Sequence, residues 1–236
     1  MRPQGRRRCP TRSAPVPSLA LAAAMALGGA APLAGQQPSR IGTERPAAET
    51  LRQQLAAAFD GERLDALLTE LARADSAGLP TRPLAHKALE GKSKGAPDAR
   101  ILQAVVAMRE RLVVAADVLG PDRPEDVLVA AAGALYVGMD PQALGTIGAR
   151  TRGDALGMAL VVVGDLVRRG VDIAAAGRAV LALGAAGATA DALNEFRRRV
   201  DRDISTGLTP DRATEVRMRG ILTRLGGPGG VRESRP

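Results

Sequence analysis

The chain has 236 residues, a net charge of +8, one cysteine and three aromatic residues. This length suits one or two domains and is enough to bury a core. Five arginines lie within the first twelve residues, so the chain without them would carry +3, with acidic and basic residues mixed. This balance, with few rings to stack on bases, excludes a typical nucleic-acid-binding protein.

Residues 1–35 have the pattern of a secretory signal peptide, in which the basic segment MRPQGRRRCPTRSAPVP precedes the weakly apolar segment SLALAAAMALGGAAPLAG. We expect cleavage after Gly35, release into the periplasm or outside the cell, and no membrane span afterwards. An uncleaved anchor and twin-arginine export are the alternatives, although a span needs roughly 20 strongly apolar residues. A lipoprotein is excluded because Cys9 precedes the apolar segment.

Cys9 is the only cysteine, and it would leave with the leader. The mature chain would then have no disulfide, no thiol nucleophile and no thiolate metal ligand. We therefore expect a protein held together by burial alone, without a metal or a cofactor.

One short pattern recurs along the rest of the chain: a glycine, an apolar residue, and then Pro, Asp or Thr. It occurs at 78–80, 95–97, 138–140, 170–172, 187–189 and 207–209. A glycine just past a helix takes a left-handed conformation, the apolar residue packs back on that helix, and Asp or Thr caps the next helix. With Gly153 included, the glycines from Gly138 to Gly207 lie 15, 17, 17 and 20 residues apart. Such intervals suit helices of about four turns with short connections.

This recurring glycine pattern predicts an all-α fold of about ten helices. We expect a flexible linker at 36–46, a single α-helical domain at 47–225 and a disordered tail at 226–236. Short connections imply antiparallel hairpins, arranged as a compact bundle, which we favour, or as a short α-solenoid. The predicted helices are 47–58, 61–76, 80–91, 97–119, 124–137, 140–151, 154–169, 172–184, 189–205 and 209–225.

The run Val161–Val163 is the only strand-like segment. It lies within sixteen residues bounded by Asp154 and Gly170, so a helix is preferred. Because this helix would be apolar on nearly all sides, we expect it to be central and buried. Gly157 and Gly164 would share one face, where another backbone could approach closely.

All three lysines of the chain lie within the segment LAHKALEGKSKGAP. We expect Gly91–Gly95 to be the turn before the fourth helix, whose free N–H groups and nearby ammonium groups would attract an anion. The alternative is an exposed turn that merely tolerates cations. A phosphate-binding P-loop is excluded, because His86 stands where that motif has glycine. The candidate anion-binding residues of this 86–95 segment are Lys87, Lys92, Ser93 and Lys94.

His86 is the only histidine, and a zinc site built around one histidine without cysteine is rare. A cofactor-free hydrolase using His86 or carboxylates is an alternative function, although the chain has no Gly-x-Ser-x-Gly elbow. The carboxylates considered for it are Glu62, Asp65, Glu70 and Asp165.

Asp165 lies in the most apolar segment, where an acid must find a partner. Arg168 and Arg169 follow one helical turn later and could supply one. The run Glu195–Asp203 is charged but balanced in sign, which predicts the solvent face of the ninth helix, with Phe196 and Val200 pointing inward.

The stretch AGLPTRPLAHKALEGKSKGAPDARI resembles segments of exported helical bacterial proteins of unknown function. The resemblance covers residues 77–101 and rests on the Gly-Leu-Pro turn, the Lys-Ala-Leu-Glu-Gly segment and the Ala-Pro start. It implies helices and no activity. We therefore expect an exported, non-catalytic interaction or scaffold protein that binds another protein. The alternatives are the hydrolase and a weak anion-binding protein.

Overall fold

Glycine turns separate the helices of this chain. The computed structural model describes residues 41–151 and 153–226. All ten predicted helices are present, and their ends agree with the prediction to within two residues, except that the first helix begins at Ile41, inside the expected linker. The predicted signal peptide at 1–35, residues 36–40 of the expected linker and the residues from 227 onward lie outside the described residues. The helices are α1 (Ile41–Ala58), α2 (Gly61–Ser76), α3 (Arg82–Ser93), α4 (Asp98–Leu119), α5 (Glu125–Tyr136), α6 (Pro141–Arg150), α7 (Ala155–Arg168), α8 (Ile173–Ala185), α9 (Ala190–Ser205) and α10 (Pro210–Gly226).

The turns form as the glycine pattern predicts. Gly138 has a φ of 97°, in the left-handed region that favours glycine. The N–H of Met139 donates to the carbonyl oxygen of Ala134 at 3.0 Å, which satisfies one of the last carbonyls of α5. The same bond, from the residue after the glycine to the carbonyl five residues earlier, is made by Leu79, Ala96, Val171, Ala188 and Leu208.

The next helix is then capped by the polar residue of the pattern. Asp140 accepts hydrogen bonds from the N–H groups of Gln142 and Ala143, at 2.8 and 3.3 Å. Asp172 and Thr189 cap α8 and α9 in the same way. Each such cap contributes about 1 kcal/mol to helix stability.

The helices pack on their neighbours and next neighbours along the chain, within one compact unit. The even-numbered helices form a continuous row, α2 on α4, α4 on α6, α6 on α8 and α8 on α10. The odd-numbered helices pair as α1 on α3, and as α5 on α7 and α7 on α9. The all-α prediction is confirmed, and buried residues from all ten helices form one core cluster.

Helix α7 is mostly buried, as expected, and it contacts α5, α8 and α9. The run Val161–Val163 is helical, with Val162 and Val163 fully buried and Val161 38% exposed. Leu156, Leu160 and Leu166 complete its buried surface.

Other parts of the chain approach closely at glycines other than the expected Gly157 and Gly164. A Cβ at Gly157 would make ordinary contact with Val127, and a Cβ at Gly164 would meet only the Arg168 side chain of its own helix. The expectation for Gly164 is therefore wrong. A Cβ at Gly184 would instead overlap Thr151 Oγ1, so this glycine lets α8 pack against the end of α6.

Candidate functional sites

The structure places Lys87 and Lys94 around one carboxylate. Lys87 Nζ lies 3.2 Å from Glu90 Oε2, and Lys94 donates to the other oxygen of Glu90. The hydrogen bonds from Lys94 and Lys87, with their charges, hold the pKa of Glu90 below its usual value. Glu90 therefore stays ionised at neutral pH and neutralises part of this cluster.

Lys92 has two partners of its own. Its Nζ lies 3.2 Å from Asp98 Oδ1 and 4.8 Å from the centroid of the Phe59 ring. The other Asp98 oxygen lies 2.8 Å from Arg63 Nη1. Asp98 is in the first turn of α4, where an anion is favoured by the helix dipole. The protein's own carboxylate thus occupies the position in which we expected an external anion.

The predicted turn at Gly91–Gly95 begins later than expected. Helix α3 continues to Ser93, whose hydroxyl donates to the carbonyl oxygen of Glu90 at 2.9 Å. Only Gly95 takes the left-handed conformation, with a φ of 67°. Gly91 is helical, and the side chain of Ile101 lies where a Cβ at this position would stand. Anion binding by these lysines stays a prediction.

His86 is exposed on α3. Within residues 41–151 and 153–226, no group of three histidine, cysteine or acidic side chains is arranged to hold a metal ion.

Two of the carboxylates considered for a hydrolase, Glu62 and Asp65, are exposed on α2. Glu70 is buried and accepts hydrogen bonds from Arg73 and from Arg109 of α4, the latter at 2.8 Å. None of the three lines either of the cavities described below.

Asp165 finds arginine partners on two helices. Its side chain is 24% exposed and accepts hydrogen bonds from Arg168 on α7, as expected, and from Arg197 on α9. Arg169 does not join it but reaches across to Asp201, at 2.8 Å. Burial opposes ionisation, but the hydrogen bonds and charges of Arg197 and Arg168 outweigh it, and the pKa of Asp165 is lowered.

These residues surround a cavity of about 450 Å³ between α7 and α9, which we call the arginine cavity. Its floor is apolar, because Leu166 and Val200 are buried there. Its walls are Asp165, Arg168, Arg169, Arg197, Arg198 and Asp201.

A second and larger cavity, of about 1060 Å³, lies at the other end of the helix rows, between α1 and α2. These two helices are joined by a short turn, but α1 packs on α3 and α2 packs on α4, so a groove opens between them. We call it the leucine groove. Its apolar lining is Leu51, Ala56, Leu64, Leu68, Leu71, Ala72, Leu79 and Ala85.

Helix α2 has two apolar faces, and the residues that the structure describes cover only one of them fully. Leu67 and Ala74 are buried toward the core. Leu64, Leu68 and Leu71 lie on the groove side and are half-buried. Leu64 and Leu71 also touch the core, whereas Leu68 is not among the apolar residues packed against it. Sequence reasoning missed this groove, although four leucines within eight residues cover more of a helix than one partner needs.

The rim of the leucine groove carries a small negative charge. Arg82 and Glu125 lie on it and neutralise each other, with Arg82 Nη2 2.9 Å from Glu125 Oε1. The remaining charges of the rim are two acids, Glu49 and Asp75, and one base, Arg52. The rim thus has an excess of one negative charge.

Comparisons of the chain with protein families, with curated proteins and with solved structures found no match. No helix in the part of the chain that the structure describes is both long and apolar enough to cross a membrane.

Proposed function

We propose that the chain is an exported, non-catalytic interaction module that binds an amphipathic helix of a partner protein in the leucine groove. The observation that carries this proposal is the second apolar face of α2. Leu64, Leu68 and Leu71 stand at the i, i+4 and i+7 positions and are only half-buried. Grooves with this spacing commonly accept the apolar face of a helix.

The dimensions and charge of the groove define the partner. Leu64 and Leu71 are about 10 Å apart along the helix axis, which is two turns of a docked helix. Completing the burial of the three leucines would contribute roughly 1 kcal/mol each. The negative rim favours a partner helix flanked by lysine or arginine, because complementary charge guides the encounter and sets orientation.

The hydrolase alternative finds less support at Asp165. A general acid in glycoside chemistry needs a raised pKa. The pKa of Asp165 is lowered, and both of its oxygens accept hydrogen bonds from arginines. Asp165 is therefore an anchor for arginine side chains.

Site-specific photo-cross-linking tests the proposed function. A photoreactive residue replaces Gln53, which lies on the rim of the leucine groove, and in a matched control it replaces Gln142, which is exposed on α6. We expect cells to give a cross-linked adduct at position 53 and none at 142. Mass spectrometry of the adduct should identify a peptide with apolar residues at helical spacing and basic flanks.

The variant Leu68→Asp supplies the control on the groove itself. It should remove the adduct and leave the melting temperature nearly unchanged, because Leu68 is not among the residues packed against the core. An adduct that persists in Leu68→Asp, a lipid adduct, or no adduct at position 53 would each contradict helix binding in the groove.

Export is tested by determining the amino-terminal residue of the recovered protein. We expect the amino-terminal residue of the protein recovered from the periplasm or medium to be Gln36. Recovery of the chain in the cytoplasm with its first 35 residues intact would contradict export.

A further inference from the structure

The arginine cavity has more positive charge than its own acids can balance. Four arginines and two aspartates line it, an excess of two positive charges. Asp165 forms ion pairs with two arginines, Arg168 and Arg197. Two guanidinium groups on one carboxylate leave one positive charge without a counterpart.

The same ratio recurs at the edge of the cavity. Arg198 Nη2 lies 2.8 Å from Glu195 Oε2, but Glu195 also accepts from Arg199. Arg198 therefore shares its only acidic partner among the described residues. Its side chain is 61% exposed, so its guanidinium can turn toward a bound group.

One donor in the cavity wall has no acceptor. Arg197 bonds Asp165 through Nη1 and Asn194 through Nη2, the latter at 2.9 Å, but its buried Nε donates to no side chain or backbone group of the described residues. A buried donor without an acceptor is costly. A small adjustment of the guanidinium would let an acceptor entering the cavity satisfy it.

Arginines that are paired with carboxylates suit the binding of an oxyanion. Guanidinium groups bind phosphate and sulfate oxygens in pairs, and they bind best when they are already held in place. Asp165 holds Arg168 and Arg197 in this way. Asp201 Oδ1 lies 2.8 Å from Arg169 Nη2, but it is a buried acceptor that makes no hydrogen bond among the described residues. The cavity volume of about 450 Å³ also leaves room, over the apolar floor, for more than a single ion.

We propose that the arginine cavity between α7 and α9 binds a phosphoryl group, as free phosphate or as part of a small phosphorylated molecule or lipid headgroup. This site is distinct from the lysine segment 86–95, where the ammonium groups are already paired with the carboxylates of Glu90 and Asp98. It is also independent of the leucine groove at the other end of the helix rows.

Calorimetric titration of the full chain with inorganic phosphate and with pyrophosphate, at fixed ionic strength, tests the proposal. We expect saturable binding at one site. The variants Arg169→Gln and Arg198→Gln should each weaken it at least about tenfold, since each removes a charged hydrogen-bond donor. Both side chains are more than half exposed, at 56% and 61%, so both variants should fold.

Arg212→Gln is the matched control. Arg212 is 60% exposed on α10 and pairs with Glu215 at 3.1 Å, three residues away, as Arg198 pairs with Glu195. The variant Arg212→Gln removes one positive charge outside the cavity, so it should leave the affinity for phosphate unchanged. An equal loss of affinity in Arg212→Gln would show a general charge effect and overturn the proposal.

Vesicles distinguish the two sources of phosphate. Binding to phosphatidylglycerol vesicles but not to phosphatidylcholine vesicles, lost in Arg169→Gln and Arg198→Gln, would assign the phosphoryl group to a lipid headgroup and support the site. Binding of the free anions alone would support a soluble ligand. Absence of saturable binding to phosphate, pyrophosphate and vesicles alike would overturn the proposal.

Discussion

Substitution by alanine should have opposite effects on stability at Gly133 and Gly138, which lie five residues apart. A Cβ added at either position would meet no heavy atom within 4 Å apart from the adjacent backbone, so packing does not distinguish them. Gly133 is inside α5, whereas Gly138 closes the turn after it with a φ of 97°. Backbone conformation is therefore the only difference that the substitution to alanine tests.

The expected magnitudes follow from that difference. Gly133→Ala should raise the free energy of unfolding by about 0.5–1 kcal/mol, because alanine loses less conformational entropy in a helix. Gly138→Ala gains a similar entropic benefit but must hold alanine in the left-handed region, which costs about 1–2 kcal/mol. The net effect is a loss of up to roughly 1.5 kcal/mol, so the two variants should differ by about 1–2 kcal/mol.

Urea denaturation followed by circular dichroism measures this difference, and a thermal scan checks it. A change of 1 kcal/mol shifts the melting temperature by about 2–4 °C in a protein of this size. If Gly138→Ala is as stable as Gly133→Ala, position 138 is not left-handed. Left-handed glycines would then not be what ends these helices.

Two further predictions concern buried polar groups. The hydrogen bonds from Arg217 outweigh burial and lower the pKa of Asp203. The ionised Asp203 should therefore stabilise the fold above the unfolded pKa of about 3.9, and this stabilisation should be lost as pH falls toward the folded pKa. The variant Asp203→Asn should not show this loss. Denaturation curves with equal acid sensitivity for both proteins would refute the prediction. Gly184→Ala should destabilise by about 1–3 kcal/mol, because its Cβ overlaps Thr151 Oγ1. Adding Thr151→Ala should restore most of that loss, and additive losses in the double variant would contradict the overlap.

The helices could be predicted because their signals are local. The turn at Gly138 depends on residues 134–143, from the carbonyl of Ala134 to the N–H groups that Asp140 caps. A left-handed glycine and a capping aspartate act on backbone groups within a few residues, wherever the rest of the chain lies. Ten helices, and all their ends except the start of α1, therefore followed from the sequence to within two residues.

The candidate sites depend on contacts that no local signal shows. Arg168 could be paired with Asp165 from the sequence because they lie three residues apart, but Arg197 lies 32 residues from Asp165 and joins it only through the packing of α9 on α7. For the same reason the run Glu195–Asp203, expected to be a solvent face, contains the buried Asp203 and one wall of the arginine cavity.

The sequence by itself determined where the helices begin and end, apart from the start of α1, because the backbone groups at a helix end are satisfied by residues next to it. Only the tertiary structure decided which side chains meet. The lysines at 87, 92 and 94 meet the carboxylates of Glu90 and Asp98, while a second face of α2 remains only half-buried. Such meetings depend on the rotation and spacing of whole helices, which are set by the combined packing of many residues and not by any short segment.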